Sequence, residues 1–245
     1  MSGSVGKRVL ITGVTSGIGE QLALRFLQQG HQVYGVARSV EKLQAMQQQY
    51  ANFKPLACDL ASSDAWQSIV DAIEGDIEIV VLNAGNCEYL DNGQIDIGLV
   101  RRVFELNFFT NIEAARMLLE RWSTKIQRFA VVSSSAGFFP LARAEAYGAS
   151  KAAVSYFFST LRLSYPTIKF SLIHPGFVET PLTDKNDFDM PMKISAAKAA
   201  DVMYQGILKG KRRIDFPRFF ILILKCLSIL PDTVKFYLGK KMVRK

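Results

Sequence analysis

The 245-residue chain is poor in the residues that build disulfide scaffolds and zinc centres. It has three cysteines, Cys58, Cys87 and Cys226, which are far apart and form no CxxC pair, and it has only two histidines. Such a set excludes a disulfide scaffold and argues against zinc, so no metal site is expected. The short polar start leads into an apolar run without the pattern of a secretory signal, and the expected location is therefore cytoplasmic and reducing.

Linkers, repeats and low-complexity tracts are also missing from the sequence. No Pro/Gly/Ser-rich stretch divides the chain, while 49% of its residues are apolar. This length and composition predict one large domain with a sizeable core rather than two small domains.

The positive charge of the chain is confined to its end. From Lys209 onward there are 11 Lys/Arg and two acidic residues, a balance of +9, whereas the preceding 208 residues have 19 basic and 20 acidic residues. An evenly spread excess would favour nucleic acid as a partner, but this body is nearly neutral. We therefore expect no nucleic-acid partner.

A glycine-rich turn follows the first apolar run. Residues 7–12, KRVLIT, are typical of a buried strand, residues 13–19 read GVTSGIG, and a helical apolar pattern follows through Phe26. Glycines allow a tight turn and close approach of the backbone, and the helix start offers N–H groups to a pyrophosphate. The order strand, glycine turn, helix thus predicts a dinucleotide-binding turn, with an ordinary strand–helix turn as the alternative.

The end of the second predicted strand, residues 32–37, bears on the choice of cofactor. NAD-preferring enzymes usually have an acidic residue there for the ribose 2′-hydroxyl, but this chain has Ala37 followed by Arg38. An arginine can make charge-assisted bonds to a 2′-phosphate, so NADP(H) is favoured over NAD(H). The alternative is that Arg38 is a solvated residue at the start of the next helix.

Strands and helices then alternate along the chain. Residues 53–58 are a predicted strand ending at Asp59, a helix is predicted over about 62–73, and the apolar run 77–82 is a further strand. This last strand ends in Asn83-Ala84-Gly85, small residues where the carboxyl end of a strand would meet a cofactor. The alternation predicts an α/β fold with a doubly wound parallel sheet.

Tyr147 and Lys151 have the spacing Tyr-x-x-x-Lys, which on a helix places both side chains on one face about one turn apart. A phenol has an ordinary pKa of about 10 and exchanges protons poorly near neutral pH. A nearby ammonium group favours phenolate, so we expect Lys151 to lower the pKa of Tyr147. The spacing alone is common, and Tyr147 could equally be an ordinary half-buried helix residue.

Taken together, the TGxxxGxG turn, the Asn-Ala-Gly after the fourth strand, Ser134 and the YxxxK pair resemble the short-chain dehydrogenase/reductase family over roughly residues 5–216. Ser134 lies 13 residues before Tyr147 and heads a Ser-x-x-Gly pattern, which makes it a better match to the family's serine than Ser133 or Ser135. One departure is Leu82 in place of the first asparagine of the usual Asn-Asn-Ala-Gly. It affects no catalytic position.

The resemblance implies roles for individual residues. Tyr147 would exchange a proton with the substrate oxygen, and Ser134 would bind that oxygen. Lys151 would bind the nicotinamide ribose and tune Tyr147, Asn107 would bend a helix and hold a water, and Asp59 would meet the adenine. The catalytic set is then Asn107, Ser134, Tyr147 and Lys151. The cofactor-binding set is Gly13, Thr15, Ser16, Gly17, Ile18, Gly19, Arg38, Asp59, Asn83, Ala84, Gly85, Tyr147, Lys151, Pro175, Gly176 and Thr180.

The expected activity is NADP(H)-dependent hydride transfer at a carbonyl or alcohol of an apolar small molecule. Two alternatives stay open: a lipid or acyl-chain reductase at a membrane, and a non-catalytic cofactor sensor.

Residues 177–194 are expected to form a flap over the substrate. His174 is expected to be a hydrogen-bonding rather than a catalytic residue. A homodimer is the default assembly. Candidates for the pocket wall are Tyr89, Phe138, Phe139, Leu141, Phe177, Phe188 and Met190.

The predicted catalytic domain spans residues 1–216, and residues 217–245 form a helical extension. The run FFILILKCLSIL at residues 219–230 is apolar almost all round and is flanked by Lys and Arg. Twelve residues are too few to span a bilayer, which needs about 20. Interfacial attachment to an anionic membrane is one interpretation, and packing on the body, on the substrate mouth or in a dimer interface is the other.

Overall fold

The computed structural model describes residues 6–91, 93–184 and 190–242. The strands are β1 (Arg8–Thr12), β2 (Gln32–Ala37), β3 (Phe53–Ala57), β4 (Ile79–Leu82), β5 (Arg128–Val132), β6 (Lys169–Pro175), β7 (Val178–Glu179), β8 (Ile194–Ser195) and β9 (Arg213–Phe216). The helices are α1 (Gly17–Gln28), α2 (Val40–Gln49), α3 (Ala65–Ala72), α4 (Ile97–Phe104), α5 (Thr110–Trp122), α6 (Glu145–Leu161), α7 (Ala196–Leu208), α8 (Arg218–Ser228) and α9 (Asp232–Met242). A π-helical turn (Glu105–Phe109) joins α4 to α5, and a short 3-10 turn (Ser135–Gly137) precedes α6.

Seven parallel strands form the main sheet in the order β3-β2-β1-β4-β5-β6-β9. The chain winds to one side from β1 and to the other side from β4, so a crevice opens between the carboxyl ends of these two neighbours. This is the predicted doubly wound α/β fold. The short strands β7 and β8 pair separately, Val178 with Ile194.

Some predicted boundaries are wrong by a few residues. The helix expected from residue 62 begins at Ala65, because the N–H groups of Ser62 and Ala65 donate to the carbonyls of Asp59 and Ser62 in a turn. The strand expected from residue 77 begins at Ile79, and the strand expected to end at 58 ends at Ala57.

Two apolar layers cover the sheet, one on each face. On one face α1 and α7 pack through residues such as Phe26 and Met203, and on the other α3, α5 and α6 pack through residues such as Leu118 and Phe158. Because both faces are covered, the central strands need apolar side chains at successive positions, and every residue of β4 is fully buried. The sheet edge that carries the carboxyl ends of the strands is thereby held rigidly.

Helix α8 has apolar residues on two faces. Its inner face packs on the body through Ile221 and Leu224, which are 1% and 6% exposed. Its outer face presents Phe219 and Leu222, which are 63% and 57% exposed. In the part of the chain that the structure describes, no helix combines the length and the apolar character needed to cross a membrane.

Candidate active site

The glycine turn lies at the switch point of the sheet. Gly13 has φ +75°, in the left-handed region that favours glycine, and its N–H donates to the Val36 carbonyl at 2.8 Å. The N-cap residue of α1, Ser16, makes no side-chain cap bond, and the first turn of this 12-residue helix lines the cavity beside it. This geometry offers hydrogen-bond donors and a positive dipole end to an anion.

Asn83 ties the ends of β1 and β4 together. Its side-chain amide donates to the Thr12 carbonyl at 3.0 Å, and its backbone N–H donates to the Thr12 hydroxyl at 2.9 Å. The N–H of Ala84 donates to the same hydroxyl at 3.0 Å. Thr12, which sequence reasoning treated only as part of a strand, therefore fixes the width of the crevice.

Arg38 and Asp59 lie at the far end of the same cavity, where β2 and β3 end. Arg38 is exposed, and no acidic residue among those the structure describes forms an ion pair with it. The Asp59 carboxylate accepts from the Ala61 N–H at 3.2 Å. Lys42, which sequence reasoning missed, donates to the Thr15 carbonyl at 3.3 Å and adds a second positive charge near this end.

Ser134, Tyr147 and Lys151 meet at the carboxyl ends of β4 and β5. Ser134 caps the 3-10 turn by accepting from the Ala136 N–H at 3.1 Å, and its hydroxyl is close enough to Tyr147 to act on the pKa of that phenol. Lys151 is 3% exposed, and its ammonium group donates to the Val132 carbonyl at 3.1 Å. Ser133 differs from Ser134 because its hydroxyl donates to the backbone carbonyl of Lys151 at 2.8 Å, which holds α6 against β5.

Burial controls the proton affinities of this pair, and the prediction that Lys151 lowers the pKa of Tyr147 is wrong. Burial, reinforced by the ionisable Cys87 thiol, raises the pKa of Tyr147 to about 12, although the nearby Ser134 hydroxyl opposes the shift. Burial lowers the pKa of Lys151 to about 8. The ammonium nitrogen is 5.8 Å from the centre of the Tyr147 ring and bonds to a carbonyl instead. At neutral pH Tyr147 is therefore protonated.

Asn107 lies behind the cavity wall and is fully buried. The helix bend predicted at this residue is present as the π-helical turn. The Asn107 side chain accepts from the Asn86 N–H and donates to the Asn86 carbonyl, both at 2.9 Å, and it donates to the Ser150 hydroxyl at 3.1 Å. A side chain at Gly85 would collide with Asn107 and crowd Lys151. The arrangement thus fixes α6 at Ser150, the residue before Lys151, and a water-holding role for Asn107 stays a prediction.

The residues predicted to bind the cofactor line a single cavity of about 530 Å³, a size suited to a small-molecule ligand. The loop after β6 also lines this cavity, through Pro175, Gly176 and Thr180. A Cβ atom at Gly17 would meet the Thr180 side chain at 2.9 Å, so the loop after β6 closes directly over the glycine turn. The described part of the predicted flap is tied at both ends by the β7–β8 pair, and residues 185–189 lie outside the described residues.

The aromatic residues expected in the pocket wall do not line this cavity. Phe139 is 2% exposed in the interior, the Phe138 ring packs on His174, and the Phe177 ring packs on Phe220 of α8. Phe188 lies outside the described residues, and Tyr89, Leu141 and Met190 do not line the cavity either. Period and composition do not fix the direction of a side chain in a loop, which explains why the described candidates do not line this cavity.

Cys87, which sequence reasoning did not single out as a site residue, lies beside Tyr147 together with Tyr89, a predicted pocket-wall residue. Burial raises the pKa of both side chains, and each also acts on the pKa of the other. The Cys87 thiol also interacts electrostatically with Tyr147 and Lys151. Their position directly after Asn83-Ala84-Gly85 was the available signal.

His174 has the hydrogen-bonding role that was expected. It is 1% exposed and bonds to the Asp215 carboxylate at 2.8 Å and to the Ser155 hydroxyl at 3.3 Å. Ser155 bonds to Ser133 at 2.7 Å, and Lys225 of α8 forms a close ion pair with Asp215. A polar chain therefore runs from the C-terminal helix to the backbone of Lys151.

Comparisons with known proteins agree with this geometry. A family model described as short chain dehydrogenase matches residues 7–190. The chain is 31% identical over 194 residues to a benzil reductase ((S)-benzoin forming) of Saccharomyces cerevisiae, with 73% of this chain and 74% of that protein covered. It is 28% identical over 242 residues to 11-beta-hydroxysteroid dehydrogenase A of Sesamum indicum, with 88% and 69% covered.

Among solved structures, a variant of actinorhodin polyketide ketoreductase with NADPH superposes with a TM-score of 0.76 at 22% identity, covering 86% of this chain and 95% of that one. At this identity the likeness speaks for the fold. The doubly wound sheet with its glycine turn defines a Rossmann-type, nucleotide-binding oxidoreductase. More specifically, this chain belongs to the short-chain dehydrogenase/reductase family, whose members bind NAD(P)(H).

Proposed function

We propose that this protein is an NADPH-dependent reductase of a bulky, apolar ketone or aldehyde, with Tyr147 as the proton donor. The observation that carries the proposal is that Ser134, Tyr147 and the buried Lys151 line one end of a cavity that begins at the glycine turn. When bound, the nicotinamide supplies the hydride. The protein's own groups bind the carbonyl oxygen and deliver the proton.

Proton transfer follows from the ionisation state of the site. Tyr147 has a pKa raised to about 12, so it is a phenol at pH 7 and can donate to an oxygen that gains negative charge. The Ser134 hydroxyl can donate a second hydrogen bond to that oxygen. Lys151, whose ammonium nitrogen is 5.8 Å from the centre of the Tyr147 ring, is assigned the binding of the nicotinamide ribose. Asn107 is a positioning residue, because its bonds to Asn86 and Ser150 hold the backbone on both sides of the Lys151 side chain.

The fit of a dinucleotide rests on the residues of the cavity. A Cβ atom at Gly19 would meet the Gly13 carbonyl oxygen at 2.1 Å, so only a glycine lets α1 pack this closely on the turn, as dinucleotide-binding turns require. At the other end the cavity has Arg38 and, close by, Lys42, while Ala37 stands where an acidic residue would favour NAD. Two cations without an acidic partner favour a 2′-phosphate.

The substrate class is inferred from the cavity wall and from relatives. Leu106 and Leu182 line the same cavity as Tyr147. The named relatives include a hydroxysteroid dehydrogenase and a benzil reductase, whose names specify large, largely apolar molecules. A rigid aromatic diketone and a steroid ketone are therefore the first substrates to try.

A panel assay tests the proposal. Benzil, a steroid ketone and a short aliphatic aldehyde would each be offered with NADPH and with NADH, and cofactor oxidation would be followed. We expect the apolar ketones to be reduced with NADPH and more slowly with NADH. Equal rates with both cofactors would contradict the assignment of Arg38, and no reduction of any carbonyl would contradict the proposed reaction.

A second proposal concerns residues 217–245 as an extension that attaches the catalytic domain, residues 1–216, to an anionic membrane surface. The outer face of α8 is apolar at Phe219, Leu222 and Ile223, which are 63%, 57% and 37% exposed, and Ile229, directly after the helix, is 83% exposed. Arg218 lies exposed next to this face, and the sequence around it is rich in lysine and arginine. An apolar face with basic neighbours fits an anionic lipid surface. The inner face meets the loop after β6, so a lipid substrate would enter close to the attachment.

A further inference from the structure

A second cavity, of about 460 Å³, lies at the end of the sheet opposite the proposed active site. Arg128 and Lys169 line it from the first positions of β5 and β6, whereas Ser134 and Pro175 lie at the other ends of these strands. Arg162 and Lys209 line it from the carboxyl ends of α6 and α7, and Arg212 lines it from the turn before β9. Five cationic side chains from four elements and a turn thus surround one space.

No acidic residue lines this cavity, and none of the five cations forms an ion pair with any residue that the structure describes. The nearby carboxylate of Glu78 is directed elsewhere. It accepts from Lys7 and from the Arg8 N–H, while only the backbone carbonyl of Glu78 meets Arg128. The cluster therefore carries uncompensated positive charge.

The ends of two helices account for only part of this clustering. The carboxyl end of a helix carries about half a negative charge, so α6 and α7 together offset about one of the five positive charges. Arg162 and Lys209 sit at these ends and are explained in this way. Arg128 reaches the last carbonyl of α7, at Leu208, but Lys169 and Arg212 lie at a strand start and in a turn and gain no such compensation.

Arg128 is held in place before any ligand arrives. Its two terminal nitrogens donate to the carbonyls of Gln127 at 3.0 Å and Leu208 at 3.5 Å. Its Nε is buried and has no hydrogen-bond partner among the described residues, so the guanidinium group has donors left over. The apolar side of the cavity is formed by Ile168 and Phe170, both buried, and by Leu163, which is 74% exposed.

We propose that this cavity is a binding site for a phosphate-bearing anion with more than one negative charge. Planar guanidinium groups pair with phosphate oxygens in a fixed geometry, and the lysines supply further charge. The cavity is larger than a phosphate group requires, and Leu163 borders it, so an organic phosphate fits better than a bare ion. The source can be a soluble diphosphate or the headgroup of a lipid. The site does not depend on the proposed oxidoreductase chemistry.

Binding of inorganic pyrophosphate to the full chain, measured by titration calorimetry at low salt, tests the proposal. The test variant is Arg162→Gln with Arg212→Gln, because neither side chain has a hydrogen bond within the described structure that the fold would lose. The matched control is Lys54→Gln with Lys198→Gln, which removes the same charge from exposed positions elsewhere. We expect wild type and control to bind pyrophosphate with the same affinity. The test variant should bind it at least about tenfold more weakly.

Three results would overturn the proposal: no binding to wild type, equal binding by the test variant, or complete displacement by NADPH, which would assign the pyrophosphate to the glycine turn. A vesicle arm separates the two sources of phosphate. Co-sedimentation with phosphatidylcholine vesicles, with and without phosphatidic acid, should be weakened in the test variant if a headgroup is the ligand, and unchanged if the ligand is soluble.

Discussion

Lys151 is a charged side chain in a place that disfavours charge. It is 3% exposed, one carbonyl accepts its hydrogen bond, and burial lowers its pKa to about 8. A protein that needed only stability would place an apolar residue here. The cost of keeping this lysine is consistent with its proposed role beside Tyr147.

The first prediction concerns that cost. Lys151 binds a proton below about pH 10.5 in the unfolded chain but only below about pH 8 in the folded chain. Protonation therefore favours the unfolded chain. The loss of stability grows as the pH falls from 10.5 to 8 and is complete below pH 8. Lys151→Met should therefore raise the free energy of unfolding at pH 7 by about 1–2 kcal/mol, after allowing for the lost hydrogen bond to Val132. Above pH 10.5 the gain should vanish. Urea unfolding at pH 7 and above pH 10.5 measures this gain. A loss of stability at pH 7 would contradict the account of burial. The matched control, Lys198→Met, changes an exposed lysine and should have little effect.

The second prediction concerns Arg38. Arg38→Ala should weaken NADPH binding by about 1.5–3 kcal/mol, because one charge-assisted bond to the 2′-phosphate is lost. NADH has no such phosphate, so its affinity should stay the same. Fluorescence titration with both nucleotides measures this, with Lys54→Ala as a control of equal charge. An equal loss of affinity for both cofactors would show that Arg38 does not bind the 2′-phosphate.

At the scale of elements, α8 is joined to the catalytic elements by a buried polar chain. Burial alone would raise the pKa of Asp215, but the hydrogen bonds from His174 and Lys225 and the nearby Arg213 outweigh it and hold this pKa at about 2. Asp215 thereby connects β9 to β6 through His174 and to α8 through Lys225. The partners are 41 and 10 residues away in sequence.

Asp215→Asn should accordingly lower the free energy of unfolding by about 2 kcal/mol at pH 7. Because the folded-state pKa is below the ordinary value of 3.8, this contribution is complete above pH 4 and is lost as the pH falls towards 2. Wild type and variant should therefore converge near pH 2 in chemical unfolding curves. Asp76→Asn breaks an exposed pair with Lys125 and should cost less than about 1 kcal/mol. A pH-independent difference for Asp215→Asn would rule out the ion pair as its cause.

The elements were predictable where the signal was local. The glycine turn, the strand ends at Arg38 and Asn83 and the YxxxK helix each depend on a few neighbouring residues, and the structure brings them together. Loop side chains such as Phe138 were placed wrongly because their direction depends on distant partners such as His174. The lowered pKa expected for Tyr147 failed for a related reason: burial is a property of the whole site and not of a spacing.

At the scale of the whole molecule, the exposed face of α8 is the surface to test for membrane attachment. Phe219→Ser with Leu222→Ser removes apolar area from that face and leaves the buried Ile221 and Leu224 in place. We expect this variant to lose most of its co-sedimentation with anionic vesicles, and salt to weaken the binding of wild type. Ile95→Ser with Ile97→Ser, on another exposed surface, is the matched control.

Light scattering on the same proteins distinguishes the alternatives for that face. If wild type does not bind vesicles at low salt and is a dimer, while the α8 variant is a monomer, the face is a subunit interface and the membrane proposal is wrong. If both proteins have the same mass and only vesicle binding changes, the face binds lipid.

The central claim is that Tyr147 donates the proton during reduction of a carbonyl. Single-turnover oxidation of NADPH by Tyr147→Phe, measured with the best ketone from the panel, tests it most directly. The account predicts a loss of at least about 3 kcal/mol of transition-state stabilisation, or more than about 100-fold in rate, with NADPH affinity nearly unchanged. Tyr156→Phe, on the same helix and 80% exposed, should react like wild type. A rate for Tyr147→Phe within about tenfold of wild type would contradict the claim.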